Sequence, residues 1–377
     1  MESFDFAVIG GGIAGASAAY ELADHGTVVV LEAEETCGYH TTGRSAAVFT
    51  EAYERDVVRL MAVASRKFLE GPPAGFTEVP ILDPLALLLI GRDDQKDRVR
   101  AETVAAKELV SSVQLLDGPQ AEQLCPVLRK GYVAAAMLEP DAHAIDVDAL
   151  HQGFLRGLRQ RGGVVRTSRR VSGLTSKGGT WKIAANGEEL ESQVVVNAAG
   201  AWAGVVGTMA GASPVGLVPK RRTAFTFAAP DGLDTAGLAM VIDVDEDFYF
   251  KPEGPQFLAS LAEETPMEPH DVRHDEVDVA LAIERIEAAT TLQIRHVRTA
   301  WAGLRTFCGD HAPAVGEDPM APGFFWLAGQ GGFGIMTSPA LSRAIAALVV
   351  GGGLPRDLLE LGVSAEALSP QRLLSSG

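Results

Sequence analysis

The chain has 377 residues, 47% of them hydrophobic and 21% charged, with 41 glycines, a composition that excludes a disordered or fibrous chain and suits a compact α/β protein of two layered domains. A formal net charge of -17, from 32 Lys plus Arg against 49 Asp plus Glu, repels phosphate backbones and anionic lipid headgroups and argues against nucleic acid as a partner. Cys37, Cys125 and Cys308 are scattered without C-x-x-C spacing, which reads as three small buried thiols in a reducing compartment and excludes a disulfide framework or a zinc site.

In chain order, the N-terminus enters a strand at once, without the basic and apolar regions of a signal peptide, and no run reaches the ~18 apolar residues that a membrane-spanning helix requires. The expectation is a cytoplasmic protein with no integral membrane segment. Residues 4–9 form a short apolar run ending in Gly10-Gly11-Gly12-Ile13-Ala14-Gly15; an Ala-rich helical stretch to about His25 and a second apolar run at 28–31 complete a βαβ opening. A Gly/Thr/Ser loop at 38–47, a helical pattern at 56–70 and a Pro-punctuated segment (Pro72, Pro73, Pro80, Pro84) lead to a strand at 85–90.

Charged helices at about 94–109 and 146–161 flank further turns, and 164–196 reads as short strands between Gly-rich turns. From 215 to 261 the pattern alternates, as in Phe225-Thr226-Phe227, which suits a sheet with one face on a core and the other toward a cavity. A helix at about 275–291, strands at 301–307 and 324–328, a Gly-rich turn and a final helix to about 350 follow. The fold class is α/β. The nucleotide-binding domain is expected over 1–80, 145–212 and 300–377, interleaved with an α+β substrate domain over 81–144 and 213–299 built on a mostly antiparallel sheet.

Gly10, Gly12 and Gly15 form G-x-G-x-x-G between a strand and a helix, where the missing side chains let backbone approach a pyrophosphate at the helix N-terminus. Glu32 ends the second strand, 22 residues after Gly10, placed to accept hydrogen bonds from a ribose. NAD and FAD share this fingerprint. Three further segments bear on the choice: Gly43-Arg44-Ser45-Ala46-Ala47, Asn197-Ala198-Ala199-Gly200-Ala201-Trp202 and Ala328-Gly329-Gln330-Gly331-Gly332-Phe333-Gly334-Ile335.

With these segments, in this order from the first strand to the last helix, the chain resembles the D-amino acid oxidase, glycine oxidase and sarcosine oxidase superfamily. The resemblance implies a Rossmann-like FAD-binding domain of the glutathione-reductase type and a non-covalent FAD, since Cys308 does not fall at the sarcosine oxidase attachment position. The cofactor residues it implies are Gly10, Gly12, Ile13, Ala14 and Gly15; Glu32 and Ala33; Thr42, Gly43, Arg44, Ser45, Ala46 and Ala47; Val171; Ala199, Gly200 and Trp202; Gly303 and Arg305; and Gly331, Gly332, Gly334 and Ile335.

The match narrows at 38–47, at 197–202, at Pro219-Lys220-Arg221-Arg222 and at Trp301-Ala302-Gly303-Leu304-Arg305, where the chain is similar to bacterial FAD-dependent D-arginine dehydrogenases, D-amino acid dehydrogenases of broad specificity. That similarity implies a carboxylate clamp of Arg222 and Arg305, tyrosines at Tyr53 and Tyr249, wall positions at Met240 and Ile242, and a backbone contact at Gly332. Independently, Arg305 interrupts an apolar run, where a guanidinium needs an anion: either a substrate carboxylate or an internal salt bridge. Beside Arg222, Lys220 and Arg221 read as solvated charges, with strand alternation turning Arg221 to the opposite face.

Two positions depart from that family. Leu87 stands where an acidic residue pairs with a cationic substrate side chain, and Val48 stands where the relatives have a histidine. Both make the pocket more apolar, so neutral or apolar D-amino acids are the expected substrates. The reaction implied is oxidative deamination: hydride leaves Cα, and the imino acid hydrolyses to a 2-oxo acid and ammonia. Electrons would pass on to a quinone, a carrier protein or oxygen. Two alternatives stand beside it: a sarcosine- or glycine-oxidase-like oxidation of a small amine, and a non-catalytic flavoprotein subunit. His270 and His274, four apart in a Pro-rich turn, read as surface residues rather than metal ligands.

Overall fold

The computed structural model describes residues 1–52 and 56–374. Its first mixed sheet runs Val171–Lys177, Thr180–Ala185, Glu188–Asn197, Glu2–Ile9, Val28–Leu31, Val164–Arg166, and Phe324–Ala328 pairs with the C-terminal half of Glu188–Asn197. Glu2–Ile9 is paired in parallel on both sides. Val28–Leu31 is four consecutive β-branched or Leu residues, all buried, because helices cover the face of Val28 and Val30, while Val29 and Leu31 on the other face share a core with Leu174, Trp181 and Ile183. Two of those helices, Ile13–Leu22 and Gly334–Val349, are rich in Ala and Gly and lie against each other. A third, Val147–Gln160, starts where Asp146 accepts a hydrogen bond from the Ala149 N–H at 2.8 Å and buries Leu150, Phe154, Leu155 and Leu158.

The second sheet is also mixed. Leu87–Gly91 is parallel to Met240–Asp243, and the remaining pairings around Val218–Ala228, Tyr249–Glu253, Gln256–Ser260 and Val297–Phe307 are antiparallel. Phe225, Phe227, Phe250 and Phe257 fill the core on one face. The opposite face carries Leu87, Met240, Ile242 and Tyr249, so the alternation expected over 215–261 does separate a core side from a cavity side. A small three-stranded sheet, Val48–Phe49, His143–Ile145 and Leu82–Pro84, joins the two.

Several elements differ from the sequence reading. The strand expected at 85–90 is Leu87–Gly91, because the Leu85 N–H bonds to Ala142 O outside the ladder. Gly118–Leu124, a helix not foreseen, is opened by an Asp117–Gln120 capping box with Pro at its first turn. Val297–Phe307 belongs wholly to the second sheet, across the boundary expected at 300. Cys37 is only half-buried, unlike Cys125 and Cys308. Lys220 is half-buried rather than solvated, since it pairs with Glu264. His270 and His274 are exposed. No helix among the described residues is long and apolar enough to cross a membrane.

Candidate functional site

Three cavities follow one another from the first sheet toward the second, the first two sharing Gly12, Thr42 and Gly200 and the last two Arg222, Tyr249 and Arg305. The first, about 350 Å³, is lined by Gly10, Gly12, Glu32, Ala33, Val171, Ala199, Gly200 and Trp202. Its floor depends on missing side chains. Gly10 has φ +106°, and a Cβ on it would lie 2.4 Å from Ala198 O; a Cβ on Gly15 would lie 1.9 Å from Gly10 O. The cradle thus matches what a dinucleotide pyrophosphate needs, bare backbone at the mouth of a helix. Gly15 and Gly43 line none of these cavities; both serve close packing, Gly43 against Gly38 O.

Glu32 is buried, and its carboxylate already accepts the Gly11 N–H at 2.7 Å and the Glu34 N–H at 2.8 Å. It therefore pins the glycine loop, while a carboxylate's remaining acceptor sites leave capacity for a ribose. Thr42 Oγ1 accepts the Ile13 N–H at 3.0 Å and so caps the helix that Gly12 opens. His151 was not singled out from the sequence. Its Nε2 lies 2.9 Å from Gly11 O, and burial holds its pKa below the ordinary value, so the neutral ring ties the helix Val147–Gln160 to the loop.

Arg44 lines the second cavity, but its guanidinium points elsewhere. It donates to Asp271 at 2.6 Å and to Val272 O and Ala302 O at 3.2 and 3.1 Å, while Trp301 Nε1 donates to Arg44 O at 2.9 Å. Tyr39 adds a bond to Asp271 at 3.2 Å. Asp271 thus straps the loop of Tyr39 and Arg44 to the segment that precedes the helix Glu276–Ala289, beside the first cavity. The Arg44 bond holds its carboxyl below the ordinary 3.8, so the strap is present above that value and is lost as the pH falls through the lower folded one. Replacing Asp271 by asparagine is expected to raise the rate of FAD release several-fold at neutral pH, read as the recovery of free-flavin fluorescence. An unchanged rate would refute a retaining role.

The second cavity is lined by Ile13, Ala14, Ser45, Ala46, Tyr249, Gly303, Arg305, Gly331, Gly334 and Ile335. A Cβ at Gly303 would make ordinary contact with Thr41 and Arg44, at 3.8 Å. The third cavity, about 400 Å³, is lined by Ala47, Val48, Leu87, Arg222, Met240, Ile242, Tyr249, Glu264, Arg305 and Gly332, with Asp245 and Glu246 also in its lining. Strand register brings the apolar wall together, Leu87 opposite Met240 and Ile242 opposite Tyr249. Gly332 lets Arg305 lie close, since a Cβ would meet its guanidinium at 2.8 Å.

Arg222 is 7% exposed, and one amino group lies 3.3 Å from Glu264, a partner not foreseen from the sequence. As expected from strand alternation, Arg221 turns away, to Asp278 at 2.7 Å and Asp275 at 3.2 Å. Glu139 was also missed. Fully buried, with its carboxyl pushed above the ordinary range by burial, it accepts the Thr50 hydroxyl and the Glu51 N–H and so fixes the backbone beside the third cavity. Tyr53 lies outside the described residues. Cys308 lines none of the three cavities, and burial pushes its thiol up to about 11.

Residues 5–348 match the family described as "DAO: FAD dependent oxidoreductase". Among curated proteins the chain is 27% identical to FAD-dependent oxidoreductase domain-containing protein 1 of Bos taurus, over 93% of this chain and 82% of that one. It is 24% identical to glycine oxidase of Bacillus licheniformis, over 95% and 96%. Among solved structures, L-proline dehydrogenase from P. horikoshii superposes with a TM-score of 0.86 at 20% identity, covering 99% of this chain and 98% of that one, a likeness of fold.

Proposed function

Since the chain belongs to the DAO family of FAD-dependent oxidoreductases, we propose that it deaminates D-amino acids oxidatively, with a preference for neutral or apolar side chains. The observation that carries this reading is the convergence of Arg222 and Arg305 on one cavity walled by Val48, Leu87, Met240 and Ile242. Two guanidiniums suit one carboxylate, since their planar forks match its two oxygens. The apolar wall suits a hydrocarbon side chain and keeps water from the reacting carbon. Tyr249 offers a hydroxyl between the second and third cavities, and Tyr53 is assigned with it to the substrate.

The residues of the first two cavities would hold FAD non-covalently, and it would supply an acceptor for the hydride that leaves Cα. The clamp orients the substrate so that a neutral amine's lone pair forms the C=N bond as the hydride departs. Water then converts the iminium to a 2-oxo acid and ammonia. In this scheme 1–80, 145–212 and 300–377 hold the cofactor, 81–144 and 213–299 carry Leu87, Met240 and Ile242 of the substrate wall, and the strand Val297–Phe307 brings Gly303 and Arg305 to both.

Anaerobic mixing with D- and L-amino acids, glycine and sarcosine tests the reading through loss of flavin absorbance. Apolar D-amino acids are expected to bleach it fastest, with D-Arg slow; bleaching only by glycine or sarcosine would reject it. Leu87→Glu is expected to reverse the order, raising kcat/KM for D-Arg relative to D-Leu at least about tenfold, because a carboxylate buried at 87 needs a cation.

A further inference from the structure

The basic run Lys220-Arg221-Arg222 lies on the strand Val218–Ala228, and the acids that answer it are consecutive, Glu263 and Glu264. They follow Ala262, whose φ of +61° lies in the left-handed region that a side chain disfavours. Beyond that bend the two carboxylates serve opposite faces of the strand. Glu263 accepts the Thr223 N–H and lies 3.9 Å from Arg221 Nε. Glu264 lies 2.7 Å from Lys220 Nζ and 3.3 Å from Arg222 Nη2, and it lines the third cavity.

This placement determines the charge of the carboxylate clamp on its Arg222 side. Lys220 and Arg222 carry two positive charges and Glu264 one negative, so Glu264 offsets one of the two cations on this side of the clamp. Burial works against Glu264, but the Lys220 bond and the charges of Lys220 and Arg222 outweigh it and hold the carboxyl below its ordinary range. Arg222 Nε is buried and makes no hydrogen bond. A buried donor left unbonded costs about 1–3 kcal/mol; Glu264 satisfies one part of the guanidinium and leaves another for a ligand.

We propose that Glu264 is a positioning residue of the clamp: anchored on Lys220, it orients Arg222 and offsets one positive charge beside the place where a carboxylate binds. The proposal rests on the assignment of Arg222 to a substrate carboxylate. Two substitutions separate charge from position. Glu264→Gln removes the negative charge and leaves one carbonyl acceptor for a cation, whereas Glu264→Ala removes the anchor as well.

Propionate, an unreactive monocarboxylate, is titrated against the flavin-loaded wild type and both variants, with the change in flavin absorbance giving Kd and with melting temperature and flavin content measured alongside. Glu264→Gln is expected to tighten propionate at least about fivefold and Glu264→Ala to weaken it by a similar factor. Two values within twofold of wild type, or shifts in the same direction, would overturn the role. D-amino acids that fail to bleach the wild type while this pattern holds would sink the D-amino acid reading alone. A wild type that shows no response to propionate overturns both.

Discussion

Arg222→Ala is expected to lower kcat/KM for an apolar D-amino acid by roughly a hundred- to a thousandfold, mainly through KM. Truncating one member of a buried, hydrogen-bonded charge pair costs about 2–5 kcal/mol, and about 1.4 kcal/mol is a factor of ten. Arg222 has the conditions for the larger part of that range: it is 7% exposed, so water screens it little, and its contact with Glu264 fixes the guanidinium. The loss should fall on KM because the carboxylate is bound alike before and during hydride departure. Arg222→Lys should recover only a small part, since a point charge cannot reproduce a planar fork. Steady-state kinetics on protein of matched flavin content measure this; an Arg222→Ala enzyme with unchanged KM would show the cation to be structural.

Gly15→Ala is expected to yield protein that retains no FAD and melts well below the wild type, although helix propensity alone predicts the opposite. In a helix interior, exchanging Gly for Ala gains about 1 kcal/mol. At Gly15 the new methyl would sit 1.9 Å from Gly10 O, so the helix Ile13–Leu22 or the glycine loop must move. Overpacking of that kind costs about 1–3 kcal/mol before the damage to the cradle is counted. Gly204→Ala supplies the contrast. It lies in the helix Ala203–Met209, is exposed and has nothing within 4 Å of its Cβ position, so the propensity gain should survive there. Melting curves and the flavin-to-protein absorbance ratio separate the outcomes; a yellow, stable Gly15→Ala protein would contradict the close packing described.

The strap at Asp271 and the clamp at Glu264 show why the site was only partly legible. Arg44 was assigned to the cofactor from its place in Gly43-Arg44-Ser45, yet its guanidinium serves Asp271, 227 residues further on. A motif fixes where the backbone goes but not what a long side chain finds there. Glu264 carried no signal of its own, because its meaning depends on the left-handed turn at Ala262 and on which strand lies opposite. His151, likewise, looks like any residue on a buried helix face until Gly11 O is seen beside it.

Residue order alone carries what short-range physics encodes. Hydrophobic period and Gly/Pro punctuation placed Val28–Leu31, Asp56–Glu70 and Phe324–Ala328 where the structure has them, and the glycines of 10–15 announced a cradle that only bare backbone forms. The tertiary structure alone decided which strands became neighbours, and with them the site. Leu87, Met240 and Tyr249 share a wall because parallel and antiparallel pairings set their register, and Arg222 meets Glu264 because a single residue at positive φ redirects the chain. Those contacts join segments distant in sequence, and their energies depend on burial and charge balance that exist only after the two sheets have packed.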